Sequence, residues 1–139
     1  MELRQQTVLI TGASRGVGAA LAKAFVKEGA NVIVNYFKSK EKAEDLAQTL
    51  GGKAIAIQAD VRDKDQVEAM VAQAKDYFKT PVTTIVNNAL IDFQFNPVAQ
   101  KNAFELQWEN FNTQFEGSVK GSLNTVQACL ADMKENGFG

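Results

Sequence analysis

The chain has 139 residues, of which 45% are apolar and 22% charged, and its formal net charge is −1. These values describe one soluble globular domain and argue against a nucleic-acid or membrane-surface protein, which usually carries an excess of basic residues. The chain has no histidine and a single cysteine, Cys129, so a histidine base, a zinc site and an internal disulfide are excluded. We therefore expect no metal, no membrane or nucleic-acid partner, and a cytoplasmic location.

Apolar runs of strand length alternate with helical patterns along most of the chain. The predicted strands span 7–11, 31–36, 53–58 and 82–86. The predicted helices run from the glycine-rich loop to Gly29, over 40–50, and from Asp63 to Pro81. Strands that alternate with such helices form parallel sheets with right-handed crossovers. The sequence therefore predicts an α/β fold with a doubly wound parallel sheet of the Rossmann type, strands one to four, in a single domain over 1–139.

Two of the predicted helices carry apolar residues at helical spacing. The first helix carries Val17, Leu21, Ala24 and Phe25. The third carries a stripe that should face the sheet: Val67, Met70, Val71, Ala74 and Phe78. The third helix also begins with Asp63-x-x-Gln66, which resembles a capping box.

The last third of the chain is read in two parts. Residues 91–106 are irregular and carry aromatic residues, which favours a surface connection over a lid. A long helix is predicted over 108–134. Its apolar stripe consists of Trp108, Phe111, Phe115, Val119, Leu123, Val126 and Leu130. Its small residues, Gly117, Ser118, Gly121 and Ser122, would allow close packing on a neighbour, either the sheet or a second subunit.

The loop Thr11-Gly-Ala-Ser-Arg-Gly-Val-Gly18 lies between the first strand and the first helix. A strand that feeds a glycine-rich turn and a helix N-terminus directs backbone N–H groups and the positive helix end at one point, which suits a phosphate. Its spacing is neither the G-x-G-x-x-G fingerprint nor a P-loop, and an ordinary glycine-rich turn remains the alternative. Other polar or special residues, Tyr36, Asp60 and Asn87, follow the other three strands at the same edge of the sheet, where ligands bind.

Three motifs in this order resemble the short-chain dehydrogenase/reductase family: the glycine loop, Asp60-Val61 and Asn87-Asn88-Ala89. The strand that ends at Tyr36, followed by Lys40-Glu-Lys-Ala43, is most similar to the 3-oxoacyl-[acyl-carrier-protein] reductase branch of that family. The resemblance implies an oxidoreductase that reduces a carbonyl with a nicotinamide dinucleotide. It also implies a small-molecule or acyl-carrier-linked substrate and a homo-oligomer.

The resemblance assigns cofactor roles to three sets of residues. It places Gly12, Ser14, Arg15, Gly16, Val17 and Gly18 at the phosphates, Asp60 and Val61 at the adenine, and Asn87 and Ala89 on the ribose side. The alternative for Asp60 is a place in the N-terminal cap region of the following helix. The alternative for Asn87 is a hydrogen bond at the strand end.

The choice between NADP and NAD is argued from charge. A carboxylate at the end of the second strand would bind the 2′-hydroxyl of NAD and repel the 2′-phosphate of NADP. Tyr36 occupies that place, and Arg15 and Lys38 are available for a phosphate. We therefore expect NADP, with NAD as the less favoured cofactor. The alternative is that Arg15 and Lys38 are solvated surface charges with no role in binding.

The sequence departs from the family pattern in three ways. Leu90 stands where the family has glycine, and Ser118 stands where it has the helix asparagine that supports proton transfer. The catalytic serine and Tyr-x-x-x-Lys pair are absent, and we read the one formal match, Tyr36 with Lys40, as chance. We expect a truncated cofactor-binding half that is inactive as given; the alternative is a non-catalytic module for dinucleotide binding or subunit association.

Overall fold

The computed structural model of the protein describes residues 1–92 and 96–139. It contains one parallel sheet whose strand order is β3-β2-β1-β4. The strands are β1 (Thr7–Ile10), β2 (Asn31–Tyr36), β3 (Ala54–Gln58) and β4 (Thr84–Val86). This sheet, with helices on its faces, confirms the predicted Rossmann-type α/β fold. Phe93 and Phe95, two of the aromatic residues in the irregular stretch, lie outside the described residues.

Helices follow each of the first three strands and close the described chain. They are α1 (Gly16–Lys27), α2 (Lys40–Leu50), α3 (Lys64–Phe78), α4 (Trp108–Phe115) and α5 (Gly121–Asn136). A π-helical segment, Glu116–Lys120, joins α4 to α5. The single regular helix expected over 108–134 is therefore corrected: it is interrupted by one wider turn, which apolar spacing alone does not reveal.

Alternating strand residues build a core on each face of the sheet. Val8, Ile10, Val32 and Val34 are fully buried in a cluster with residues of α1 and α2. Leu9 and Ile33 point to the opposite face and are fully buried in a cluster with α3 and α5. Successive side chains of a strand point to opposite faces, so these short strands serve both helical layers.

The inward faces of α1 and α3 differ in character. On α3 the predicted stripe is confirmed, because Val67, Met70, Val71 and Ala74 are buried. On α1 the small residues Gly18 and Ala22 are buried, whereas Val17, one of the apolar residues at helical spacing, is 69% exposed. The reason is close packing: a Cβ on Gly18 would lie 2.8 Å from the Cα of Ala13, so only a small residue fits there.

Asp63 caps α3, but the predicted capping box does not close. The Asp63 carboxylate accepts a hydrogen bond from the Gln66 N–H at 3.1 Å. The Gln66 side-chain oxygen accepts from the Asp60 N–H at 3.0 Å instead of from the N–H of Asp63. Gln66 therefore connects the start of α3 to Asp60, the second residue after β3.

The helical region after residue 107 turns two glycines inward and its large apolar residues outward. Gly117 lies against Ile91 and Gly121 against Val61, so the small residues pack on the body of the domain. We call the exposed apolar side chains the α4–α5 stripe: Trp108, Phe111, Phe115, Val119, Leu123, Val126 and Leu130. None of the described helices has both the length and the hydropathy that crossing a membrane requires.

Candidate functional site

The strand order reverses beside β1, with β2 on one side and β4 on the other. In open parallel sheets, ligands bind beyond the carboxyl ends of the strands at such a point. Two cavities of about 140 and 110 Å³ lie here and share Val61, Ala89 and Leu90 in their walls. We call the two together the groove.

Two glycines give the loop after β1 its shape. Gly12 has a φ of +62°, and a Cβ there would lie 2.9 Å from the Cα of Ala89. Gly16 has a φ of +57°, and no atom lies within 4 Å of the position that its Cβ would take. The first glycine is required for close approach to the segment after β4, and the second combines a left-handed turn with open space at the start of α1.

Asn88 and Thr11 fasten the loop to the end of β4. The Asn88 amide donates to the carbonyl oxygens of Thr11 and Gly12 at 3.0 and 3.2 Å. The Thr11 hydroxyl accepts from the N–H groups of Asn88 and Ala89 at 2.9 and 3.0 Å. Asn88 and Thr11 were predicted only as members of sequence motifs. In the structure they hold the ends of β1 and β4 together.

Asn35 is a second positioning residue, and sequence analysis missed it. Its buried side chain accepts from the Gly12 N–H at 3.2 Å and donates to the Ala59 carbonyl at 3.1 Å. The available signal was an amide directly after the apolar run Val32-Ile-Val34 of β2. Since the N–H groups of Gly12 and Ala13 both donate to Asn35, the loop donors left for a ligand lie from Ser14 onwards.

The N-terminus of α1 carries the positive end of a helix dipole at this edge. Its first residues are Gly16, Val17 and Gly18, and the Arg15 side chain makes no capping hydrogen bond. Arg15 and Ser14 line the groove. Within the described residues no carboxylate lies at ion-pairing distance from Arg15, so the positive charge of this region is not neutralised there. Such a helix end favours an anion.

The end of β2 supplies a further cation. Tyr36 is buried and lines the groove, and Lys38 lies at the rim with an exposed side chain. The Lys38 ammonium is 3.0 Å from Asp92 and 5.6 Å from the centre of the Phe37 ring. The structure thus places the Asp92 carboxylate near the end of β2, where the sequence around Tyr36 supplies no carboxylate.

Asp60 is mostly buried and paired with Arg62. The Arg62 guanidinium donates to both oxygens of the Asp60 carboxylate, the shortest contact being 2.7 Å from Nη2. These hydrogen bonds lower the pKa of Asp60 below its usual 3.8, and the same pair raises the pKa of Arg62. Asp60 is not the cap of α3, and Ala59 and Val61 on either side of it line the groove.

The smaller cavity lies between β4 and the π-helical segment. Asn87 lines it, and its side-chain oxygen accepts from the Thr125 hydroxyl at 2.9 Å. Ser118 and Ser122 also line it, and the Ser122 hydroxyl donates to the Ser118 carbonyl at 2.6 Å. Leu90, which is 61% exposed, borders both cavities.

Tyr36 and Lys40 do not form a tyrosine–lysine pair at the groove. Tyr36 belongs to the core between β2 and the helices α1 and α2, and the Lys40 ammonium lies 3.7 Å from Glu44. No cluster of three His, Cys, Asp or Glu side chains that could hold a metal ion occurs in 1–92 or 96–139.

Comparison with known proteins gives consistent family relationships. The sequence profile described as short chain dehydrogenase matches residues 6–139. The 3-oxoacyl-[acyl-carrier-protein] reductase FabG of Staphylococcus aureus is 36% identical over 131 residues, which are 92% of this chain and 50% of the relative. L-rhamnose 1-dehydrogenase (NAD(P)(+)) of Azotobacter vinelandii is 36% identical over 146 residues, covering 100% of this chain and 54% of the relative.

A solved structure agrees with these sequence relatives. It is the 3-ketoacyl-(acyl-carrier-protein) reductase of Brucella melitensis complexed with NADH, with a TM-score of 0.85, 33% identity, and coverage of 97% of this chain and 53% of that one. The chain spans about half the length of the relatives it matches. The profile match over nearly the whole chain, together with the fold, shows that the chain belongs to the short-chain dehydrogenase/reductase family.

Proposed function

We propose that the groove binds a nicotinamide dinucleotide and that residues 1–139 form the cofactor-binding domain of an NADP-dependent oxidoreductase that reduces a carbonyl. The observation that carries this proposal is the convergence of the N-terminus of α1 with the cations Arg15 and Lys38 at one groove. Gly12 and Gly18 support this proposal, because a side chain at either position would collide with Ala89 or with Asn88 and Ala13 and would distort the loop that faces the groove.

The groove residues divide the proposed cofactor among themselves. Backbone N–H groups from Ser14 to Gly18, including the start of α1 at Gly16 and Val17, would hold the phosphates that link the two nucleotides, which leaves the Arg15 side chain for the 2′-phosphate. Gly12 contributes shape, since its N–H already donates to Asn35. Val61, with Asp60 held by Arg62, would serve the adenine. On the ribose side the proposal places Asn87 and Ala89, which line the smaller cavity.

The preference for NADP rests on charge. Arg15 has no ion-pair partner within the described residues, and Lys38 lies at the end of β2 with an exposed side chain. A 2′-phosphate is attracted by such cations, whereas a 2′-hydroxyl gains little from them. The names of the relatives mention both NAD(P) and NADH, so the preference proposed here depends on the residues of this chain.

The dinucleotide, when bound, would supply the hydride that reduces the carbonyl. A carbonyl that accepts a hydride also needs a proton donor near its oxygen. The hydroxyls of Ser118 and Ser122 border the smaller cavity, but none of the described tyrosines lines it. We propose that residues 1–139 are inactive by themselves and that the whole protein acts on a small-molecule or acyl-carrier-linked carbonyl in the cytoplasm.

A second proposal concerns association with another copy of the chain. The α4–α5 stripe exposes seven large apolar side chains along one helical face, among them Trp108 at 71%. Contiguous exposed apolar surface is typical of interaction sites. We propose that the stripe forms a homo-oligomer interface, which also fits the alternative function of a non-catalytic dinucleotide-binding or subunit-association module.

Charge-removal variants test the proposed cofactor. Arg15→Gln and Lys38→Gln should each weaken NADPH binding by about tenfold, because one charge-assisted contact to phosphate is lost, and should change NADH binding by less than about twofold. Isothermal titration calorimetry measures both constants. Lys64→Gln, at the start of α3 and outside the groove lining, is the matched control. Equal losses for both dinucleotides, or no loss, would contradict the proposal.

The intact mass of the native protein separates the enzyme from the non-catalytic module. These 139 residues have a mass of 15.1 kDa. We expect a mass near twice that value, together with NADPH-dependent reduction of a carbonyl substrate. A native protein of 15.1 kDa that binds NADPH without turnover would favour the module.

A further inference from the structure

We propose that Asp92 is a specificity-determining residue. Its carboxylate competes with the 2′-phosphate for Lys38 and so weakens the preference for NADP over NAD. This inference rests on the proposed function of the groove and adds a residue to it. Neither the glycine loop nor the strand-end motifs include Asp92, which follows β4 by six residues.

The Lys38–Asp92 ion pair crosses the rim of the groove. Lys38 lies on the loop after β2 and Asp92 on the segment after β4, 54 residues apart in the chain, and both line the larger cavity. The ammonium-to-carboxylate distance is 3.0 Å. The pair therefore connects the two sides of the groove, at the end of β2 where the ribose 2′-position is expected.

Both partners of the pair are held by their neighbours. Ile91, beside Asp92, is buried, contacts Gly117, and accepts a hydrogen bond at its carbonyl from the Gln114 amide at 2.9 Å. The loop that bears Lys38 is held by Gln58, whose amide donates to the Phe37 carbonyl at 2.9 Å. The carboxylate is thus presented to the ammonium by anchored backbone on both sides.

The pair is weak enough for a phosphate to replace it. The two side chains are 69% and 66% exposed, and ion pairs in water of this kind contribute little to stability. A phosphate monoester carries more charge than a carboxylate and attracts the ammonium more strongly. A 2′-phosphate gains Lys38 only by breaking the pair with Asp92, whereas a 2′-hydroxyl leaves the pair intact. Asp92 therefore lowers affinity for a 2′-phosphate selectively.

The test uses Asp92→Asn in the full natural protein. Asp92 has a φ of +48°, a left-handed conformation that asparagine also adopts readily, so this variant removes the charge and keeps the backbone. The probes are adenosine 2′,5′-bisphosphate and adenosine 5′-monophosphate, which differ only in the 2′-phosphate. Calorimetric dissociation constants are measured for wild type, Asp92→Asn, Lys38→Gln and the double variant. Asp76→Asn is the control for net charge: Asp76 lies on α3, outside the groove lining, and its carboxylate pairs with Lys79.

Asp92→Asn should tighten binding of the bisphosphate by about fivefold and of the monophosphate by less than about twofold. In the Lys38→Gln background the gain should disappear, and Asp76→Asn should show no gain. An equal gain for both probes, no gain, or a gain that persists without Lys38 would overturn the inference. The ratio of the NADPH and NADH dissociation constants of the wild type tests the proposed cofactor separately. If the wild type prefers NADH, Asp92→Asn should still bind the bisphosphate more tightly than the wild type does, as long as the inference is right.

Discussion

The side-chain oxygen of Asn35 accepts a hydrogen bond from the Gly12 N–H, and this bond joins the interior of β2 to the loop after β1. The Asn35 amide donates to the Ala59 carbonyl after β3, so one buried side chain connects three strand ends. The loop conformation at the groove therefore depends on a core residue that need not touch a ligand.

Asn35→Ala should lower the free energy of unfolding by about 2 kcal/mol, because it leaves a partly buried N–H and a buried carbonyl without their partner. Urea unfolding measures the change. Asn136→Ala is the matched control, since the Asn136 amide makes an exposed bond to Asp132 and its loss should cost less than about 0.5 kcal/mol. Similar losses in both variants would show that Asn35 does not organise the loop.

Gly12→Ala and Gly16→Ala should differ in severity although both glycines have positive φ. Each substitution costs about 1–2 kcal/mol in backbone strain. Gly12→Ala also forces a Cβ to 2.9 Å from Ala89, so its loss of unfolding free energy should exceed that of Gly16→Ala. Gly52→Ala, which meets no atom within 4 Å, is the control in the same thermal or urea measurement. The account fails here if Gly12→Ala is the milder of the two loop variants.

The Asp60–Arg62 pair should make stability depend on acid pH. Because the pKa of Asp60 is lowered in the folded protein, its contribution is complete above the unfolded value of 3.8 and is lost as the pH falls through the lower folded value. Asp60→Asn should therefore be less stable than wild type by about 1.5 kcal/mol at pH 7, and the difference should shrink below pH 4. Urea unfolding at several pH values measures both. A difference that does not change with pH would contradict the pairing.

Substitution within the α4–α5 stripe should change assembly more than folding. Phe115→Ser and Leu123→Ser remove exposed apolar side chains, so we expect dissociation of the oligomer and a change in monomer unfolding of less than about 1 kcal/mol. Sedimentation velocity measures the assembly state. Gln48→Ser, at an exposed polar position on α2 on the opposite face of the sheet, is the control. Unchanged sedimentation in both apolar variants would remove the stripe as the interface.

Local sequence patterns predicted much of the fold. The bounds of β2 and α2 agree with the predicted ranges, because an apolar run that ends at Tyr36 and a helix stopped by Gly51 are local signals. The buried face of α3 was predicted for the same reason. The α4–α5 stripe shows the limit of this reasoning: spacing identifies which side chains share a face, but small residues such as Gly117 and Gly121 form the face that packs on the domain.

The contacts of the groove were less predictable than its location. The strand-end rule brought Tyr36 and Asn87 to one edge, as their places at the groove show. The pairing of Lys38 with Asp92 depends on how Ile91 is anchored by a helix that begins 17 residues later, and no local pattern contains that information. The same holds for Asn35, whose role requires three strands to be assembled.

The central claim, that this groove binds NADP in preference to NAD, is tested most directly by titrating the natural wild-type protein with NADPH and with NADH in a calorimeter at one fixed salt concentration. The account predicts one site per chain and a dissociation constant for NADPH at least about tenfold lower than that for NADH, since the cations Arg15 and Lys38 act on the 2′-phosphate alone. Tighter binding of NADH, or the absence of binding by either dinucleotide, would contradict it.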